Sequence, residues 1–134
     1  MYRAWAEKRR MQISDLPSAV NGGKPDTPIL IVSGFGAHRV LAAEAGLHIF
    51  EPSESAAGRL AARVRIGLVP LGDVPGAKAR RAVMAALAEA ERPNTVVRRY
   101  REQPPLVRDA GGKWRTGRLD LVLGGEFDLL SGVA

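Results

Sequence analysis

The side chains that could carry out chemistry in this 134-residue chain are few, and they do not combine into a known catalytic set. Glu44 lies between the two histidines, His38 and His48, but histidines ten residues apart match no common metal-ligand spacing. No serine occupies a Gly-x-Ser-x-Gly elbow, and neither histidine has an obvious carboxylate to orient it. Cysteine is absent, which excludes disulfides and zinc–thiolate sites. We therefore predict that the chain is not an enzyme and has no cofactor and no metal site.

A Gly-x-Gly pattern after an apolar run also invites comparison with dinucleotide-binding proteins. Gly34 and Gly36 follow the aliphatic residues 29–32 and precede a helical pattern. Arg39 occupies the place of the third glycine, however, and no βαβ crossover of normal length follows. The pattern therefore does not predict a nucleotide cofactor.

Arginine is the residue type whose placement favours a function. Arg63 and Arg65 alternate with aliphatic residues, which predicts a strand over 63–68. Val64, Ile66 and Leu68 would face the core, and both arginines would lie together on the outer side. Further along the chain, basic residues lie near the end of a predicted strand at 95–101 and in a basic loop at 113–118. Paired arginines on an open sheet face suit phosphate binding.

The composition agrees with a polyanionic partner. The chain has 20 Lys+Arg against 14 Asp+Glu, a formal net charge of +6, which favours encounter with polyanions. A hydrophobic fraction of 46% is ordinary for a globular protein. No apolar run approaches the roughly 20 residues of a membrane span, and the N-terminus lacks the apolar core of a signal peptide. We therefore expect a cytoplasmic protein without a membrane span.

The elements that must position these arginines form no regular βαβ rhythm. The sequence predicts helices over 2–11, 37–45 and 77–91, with Trp5 as a core anchor and Gly46 as a helix C-cap. It predicts strands over 12–17, 29–32 and 47–51, a turn-rich loop over 18–28 and a polar loop over 52–58. His48 is expected in a strand at the sheet surface, and the tail is expected to form two helical turns joined at Gly124-Gly125. This mixture favours an α+β fold with a compact mixed sheet and packed helices.

Several segments resemble the codon-reading domain of bacterial-type class I peptide chain release factors. The resemblance rests on Ala6-Glu7-Lys8-Arg9, on the stretch from Gly34 to Leu41 and on Glu44-Ala45-Gly46-Leu47-His48. VVRRY, WRTG and VLGGEFDLL are similar to the closing segment of that family. The resemblance covers most of residues 1–70 and 92–131. It implies a codon-reading lobe at 1–70, a linker and helix at 71–91 replacing the hydrolytic domain, and a C-terminal segment at 92–134 that packs on the first lobe.

The chain departs from that family at its functional positions. The family's hydrolytic Gly-Gly-Gln loop is missing, because the Gly-Gly pairs here are followed by Lys24, Lys113 and Glu126. Pro52-Ser53-Glu54 stands where the family carries its codon-reading tripeptide, and Ala61 stands where the family has a base-stacking histidine. We therefore expect neither peptidyl-tRNA hydrolysis nor normal stop-codon reading.

Two functions fit these observations. The first is a release-factor-like, non-hydrolytic protein that binds the ribosome, ribosomal RNA or another RNA and acts in translation or RNA regulation. The second is a repurposed protein–protein module that serves as an accessory subunit of a larger complex or enzyme. For the first, the candidate RNA-binding residues are Pro52, Ser53, Glu54, Ser55, Arg59, Arg63, Arg65, Arg98, Arg99, Arg101 and Arg115.

Overall fold

The computed structural model describes residues 1–16, 20–21, 24–25, 29–55, 57–69, 76–91 and 93–128. The helices are α1 (Tyr2–Lys8), α2 (Ala37–Ala42), α3 (Gly76–Glu89) and α4 (Leu119–Leu121), which continues into a π-helical turn, Val122–Glu126. The strands are β1 (Gln12–Leu16), β2 (Val20–Asn21), β3 (Lys24–Pro25), β4 (Ile29–Ser33), β5 (Gly46–Ser53), β6 (Leu60–Val64), β7 (Val96–Gln103), β8 (Leu106–Asp109) and β9 (Arg115–Thr116).

A five-stranded mixed sheet in the order β6-β5-β7-β8-β9 forms the centre of the molecule. The central pair β5–β7 is parallel, and the other three pairs are antiparallel. Its strands come from both sides of α3, which lies in the connection between β6 and β7. β1 pairs with β4, and β2 pairs with β3, in separate two-stranded ladders. The predicted α+β fold with a mixed sheet is therefore confirmed.

The core lies on one face of the five-stranded sheet, where short helices cover it. Trp5 of α1 and Phe127 are almost fully buried and pack with their ring centroids 5.9 Å apart. Tyr100 of β7 and Val107 of β8 reach the same cluster from the sheet, as Val40 does from α2. Burying aromatic side chains of this size gives the largest hydrophobic contribution per residue, so Trp5 is the core anchor that the sequence predicts.

The closing helical segment fits against α1 because one position has no side chain. Gly125 has φ +103, and a Cβ built on it would lie 2.5 Å from the backbone nitrogen of Trp5. The backbone of the π-helical turn can therefore approach α1 only with glycine there. The predicted change of direction within Gly124-Gly125 is found at Gly125.

Four boundaries differ from the sequence prediction. α1 ends at Lys8, since Arg10 has φ 56, and α2 ends at Ala42. Gly46 is not a helix C-cap but the first residue of β5, where its φ of +140 brings the backbone against the Thr95 carbonyl. Pro52 and Ser53 still belong to β5, so the polar loop begins later than predicted. Most of the predicted loop 18–28 lies outside the described residues.

The predicted strand 63–68 is wrong in position. β6 spans Leu60–Val64, where Phe50 pairs with Leu60 and Gly46 pairs with Val64. Beyond Val64 the chain leaves the sheet and runs toward α3, where the α-carbon of Gly67 lies close to Ala86. Leu68 is consequently 68% exposed instead of facing the core. Polar and apolar residues alternate more regularly in 63–68 than in 60–64, but hydrogen bonding to β5 determines which residues form the strand.

Candidate functional site

Strand pairing separates the arginines of β7 onto two faces of the sheet. Successive side chains of a strand point to opposite sides, and paired residues on neighbouring strands share a side. Arg98 and Tyr100 therefore lie on the face that carries the core. Arg99 lies on the other face together with its partners Ile49 of β5 and Arg108 of β8.

This second face carries a row of arginines across three strands. Arg99 pairs with Arg108, and Arg108 pairs with Arg115 of β9. Neighbouring strands lie about 4.8 Å apart, so the row presents guanidinium groups at short, regular intervals. Arg101 is the following β7 residue on this face. Pairing with Leu47 places Arg63 at the β6 side of the same face, and the contact with Glu51 places Arg59 there. We call this surface the arginine face; its members are Arg59, Arg63, Arg99, Arg101, Arg108 and Arg115.

A single buried carboxylate lies within the arginine face. Glu51 of β5 is 5% exposed, and its two oxygens each lie 3.4 Å from one guanidinium, that of Arg59 on one side and that of Arg108 on the other. Both arginines keep nearly half of their side-chain surface exposed. Glu51 therefore compensates part of their repulsion and limits the orientations of the two guanidinium groups, while the face stays positive.

The remaining arginines of the face differ in whether the protein itself supplies acceptors for their guanidinium N–H groups. Arg63 donates to Oδ1 of Asn94 at 2.6 Å, and Nε of Arg101 donates to the Pro104 carbonyl at 2.9 Å. Within the described part of the chain, Arg99 and Arg115 have no hydrogen-bond or ion-pair partner. Arg115 is exposed and Arg99 is half-buried. Their donors are available to an external acceptor.

Chemically, the arrangement has the charge and the hydrogen-bond donors that a polyanion requires of a binding surface. Guanidinium groups donate two parallel hydrogen bonds to phosphate or carboxylate oxygens and keep their charge at any physiological pH. A row of them perpendicular to the strands matches a chain of repeated anionic groups better than one isolated anion. Contacts of this kind position a nucleic acid through its backbone and carry no sequence information.

Arg98 does not belong to this surface, which corrects one predicted site residue. It is 3% exposed, and its guanidinium donates two hydrogen bonds of 2.8 Å to the carboxylate of Glu44, itself 3% exposed. The guanidinium also lies 5.5 Å from the ring centroids of Trp114 and Phe127. Burial works to lower the pKa of Arg98, but the hydrogen bonds and charge of Glu44 outweigh it and raise that pKa. Arg98 is therefore a charged core residue whose two terminal nitrogens are hydrogen-bonded and whose buried Nε has no acceptor among the described residues, and it cannot reach a phosphate.

The Arg98–Glu44 pair continues into a buried hydrogen-bond network. His48 Nε2 lies 2.8 Å from the backbone carbonyl of Glu44 and must donate to it, so Nδ1 accepts from the Tyr100 hydroxyl at 2.8 Å. The same hydroxyl accepts from Arg98 at 2.9 Å, and Tyr2 donates to Glu44 at 3.0 Å. His48 is thus buried rather than at the sheet surface as predicted.

Burial fixes the protonation states in this network. It lowers the pKa of His48, against the opposing effect of the hydrogen bond to the Glu44 carbonyl, so the ring is neutral. Burial also raises the pKa of Tyr100 to about 12, and burial together with the Glu44 charge raises that of Tyr2. Each hydroxyl therefore keeps its proton and acts as a donor. The network joins α1, the turn that follows α2, β5 and β7, which fixes the sheet on which the arginine face is built.

The other predicted residues lie at the margins of the arginine face. Ser53 and Ser55 use their hydroxyls to accept backbone N–H groups of the following turn, at 3.2 Å each. Glu54 is exposed and lies 3.6 Å from Arg101. Arg65 lies beyond β6, and its guanidinium donates to the Leu87 carbonyl of α3 at 3.4 Å, so the predicted pairing of Arg63 with Arg65 on one strand is not found.

Sequence reasoning missed Arg108 and Glu51, the two residues at the centre of the face. Pro104-Pro105 marks a turn between two runs with strand character, which predicts a hairpin that pairs β7 with β8. That hairpin would have placed Arg108 beside Arg99. Nothing in the sequence near Glu51 indicates that two arginines from distant segments meet it.

The described residues were also compared with the requirements of a metal site and of a membrane-spanning helix. They contain no group of histidine, aspartate and glutamate side chains arranged to hold a metal ion. Among them, no helix combines the length and hydrophobicity that crossing a bilayer requires.

Comparison with known proteins identifies the fold. No family model and no curated protein matches the sequence. Among solved structures, the chain is similar to RF2 of Thermus thermophilus, a release factor, with a TM-score of 0.62 and 17% sequence identity. The similarity covers 99% of this chain and 60% of that one, so the chain spans less than two thirds of the length of its structural neighbour. The fold is therefore release-factor-like.

Proposed function

We propose that this chain is a non-hydrolytic, release-factor-like protein that binds RNA through the arginine face and acts in translation or RNA regulation. Its partner would be the ribosome, ribosomal RNA or another structured RNA. The observation that carries the proposal is the row Arg99–Arg108–Arg115, in which pairing brings three arginines from three strands side by side.

The charge balance of the face supports an RNA backbone as its ligand. The face carries six arginines against two carboxylates, Glu51, which contacts Arg59 and Arg108, and the exposed Glu54 at the edge near Arg101. Within the described part of the chain, the guanidinium N–H groups of Arg99 and Arg115 donate no hydrogen bond. Phosphates of one RNA strand repeat at intervals comparable to the strand spacing, so adjacent arginines can contact successive phosphates.

The proposal excludes peptidyl-tRNA hydrolysis for a chemical reason. That activity belongs to the family's Gly-Gly-Gln loop, and the three Gly-Gly pairs here are followed by Lys24, Lys113 and Glu126. The release-factor-like fold would serve here to bind and position, and any hydrolysis would belong to a separate protein.

Charge reversal tests the proposal. The variant Arg99→Glu/Arg115→Glu, which keeps the Arg108–Glu51 ion pair, should lose RNA and ribosomal-subunit binding in filter-binding and co-sedimentation assays, while circular dichroism stays unchanged. The matched control is Arg3→Glu/Arg118→Glu, which alters two exposed arginines that pair with Asp15 and Asp120 elsewhere on the surface. Equal RNA affinity of this double variant and the control would refute this role of the face.

A protein–protein module is the second candidate, and one surface favours it. Pro105, Leu119 and Leu123 line an open pocket of about 390 Å³ at the end of the sheet, and Leu123 is 45% exposed. Under this alternative, a partner complex would survive reversal of the arginine face. It would be lost in Leu123→Asp, as measured by native co-purification of the untagged chain.

A further inference from the structure

Phe35 is the most exposed aromatic side chain among the described residues. Its relative exposure is 100%, so the ring touches no other part of the described chain. Removing a phenylalanine side chain from water is favourable, and the isolated fold does not obtain this gain at Phe35. Single exposed apolar side chains are ordinary on protein surfaces, so the groups beside the ring decide whether Phe35 has an external contact.

The backbone that presents Phe35 is fixed. The Ala37 N–H donates to the Gly34 carbonyl at 3.2 Å, and Gly36 has φ 77 and ψ 4. These values define a type II turn with Phe35 at its second position. A Cβ on Gly34 would lie 2.7 Å from Met11, so the turn also packs closely on the chain after α1. A rigid turn therefore holds Phe35 outward, and the turn itself does not require a phenylalanine at this position.

The surroundings of the ring are cationic. His38 and Arg39 follow on α2 and are exposed, and the Arg39 guanidinium lies 4.0 Å from the Cβ position of Gly36, beside the turn. Arg10, next to the Met11 that underlies Gly34, is exposed as well. An aromatic face next to a guanidinium matches a nucleotide, which combines a flat ring with a phosphate. A purely apolar partner would leave the Arg10 and Arg39 guanidinium groups without acceptors.

We propose that Phe35 stacks on an unpaired base of a bound RNA, with Arg39 contacting the adjacent phosphate. The inference rests on the proposed RNA-binding function and adds a second contact to it. Ala37 and Val40 of α2 pack into the core with Tyr100, so the Phe35 turn belongs to the helical layer on the opposite side of the sheet from the arginine face. The substrate class is therefore RNA with a single-stranded segment, because bases in a duplex are not free to stack on a side chain.

Fluorescence anisotropy with two RNAs tests the inference. One is an unstructured strand of about 20 nucleotides, longer than typical single-stranded sites, and the other is its duplex. Phe35→Ala should weaken single-strand binding about 5- to 150-fold, the range that one stacked base supplies, and leave duplex binding unchanged. The salt dependence should not change, since no phosphate contact is removed. Phe35→Trp should retain or improve single-strand affinity.

The control is Leu68→Ala, which removes a side chain that is 68% exposed on another part of the surface and should change neither affinity. If wild type binds the strand and Phe35→Ala binds it equally well, or loses duplex binding to the same degree, the stacking inference is refuted and the arginine face is unaffected. If wild type binds neither RNA, the proposed function is refuted and the inference falls with it.

Discussion

Two adjacent arginines, Arg98 and Arg99, should respond in opposite ways to neutralisation. Methionine removes the charge from either residue and keeps much of the side-chain volume. Arg98→Met removes both guanidinium hydrogen bonds from the Glu44 carboxylate, which is 3% exposed, and leaves the Tyr2 hydroxyl as its side-chain donor within the described residues. Removing one partner of a buried ion pair costs about 3–5 kcal/mol, because the other charge stays buried without compensation.

That cost is a large fraction of the 5–15 kcal/mol that typically stabilises a domain. Urea unfolding followed by tryptophan fluorescence measures it, since Trp5 is fully buried and Trp114 lies beside Arg98. The midpoint should fall while the slope with denaturant stays constant. The double variant Glu44→Leu/Arg98→Met should be more stable than Arg98→Met alone, because it no longer buries an unpaired carboxylate.

Arg99→Met provides the contrast. Its side chain has no partner within the described part of the chain, so the free energy of unfolding should stay within about 0.5 kcal/mol of wild type. RNA affinity should decrease, and the slope of log affinity against log salt should become shallower by about 0.7–0.9. An Arg98→Met variant as stable as wild type would refute the assignment of Arg98 to the core, and an Arg99→Met variant with large destabilisation would refute the separation of the two faces.

Two further predictions concern the scaffold. Because burial lowers the pKa of His48 from 6.5, the unfolded chain binds more protons than the folded one below that pH. The free energy of unfolding should therefore fall as the pH decreases from about 7 to 5.5. His48→Gln should remove this loss of stability, and His38→Gln, at an exposed position, should retain it. Equal pH dependence in all three proteins would contradict the neutral, buried state of His48. Gly125→Ala should destabilise the fold by about 3 kcal/mol or more in thermal unfolding, since its Cβ would lie 2.5 Å from the Trp5 nitrogen at a φ of +103. Gly124→Ala, which has open space around its Cβ position, is the matched control, and similar melting temperatures for the two variants would contradict the close approach of the closing segment to α1.

Most elements of the fold follow from local patterns in the sequence. The aliphatic run of β4, the amphipathic pattern of α3 and the β-branched start of β7 are strong signals, and each element lies where the pattern predicts it. β6 was misplaced because the alternation in 63–68 competes with the ladder that β5 imposes on 60–64. Pairing partners distant in the chain decide such cases, and periodicity does not reveal them.

The candidate site shows the same division between local and distant information. The two-residue period of β7 puts Arg98 on the side of Tyr100 and Arg99 on the other, so the sequence contains the separation. The sequence does not indicate which of these two sides is buried, because Glu44, the partner of Arg98, is 54 residues away in the chain. Arg108 and Glu51 join the arginine face through pairing between strands, which single-sequence patterns leave open.

The salt dependence of RNA binding tests the central claim most directly. Affinity for an unstructured RNA is measured from 50 to 200 mM salt for wild type and for Arg99→Met/Arg108→Met/Arg115→Met. The arginine face predicts a steep linear decrease of log affinity with log salt for wild type, and a slope shallower by about 2–3 in the triple variant, since each lost phosphate contact contributes about 0.7–0.9. A wild-type slope near zero, or the same slope in both proteins, would contradict the claim that these three arginines bind the RNA backbone.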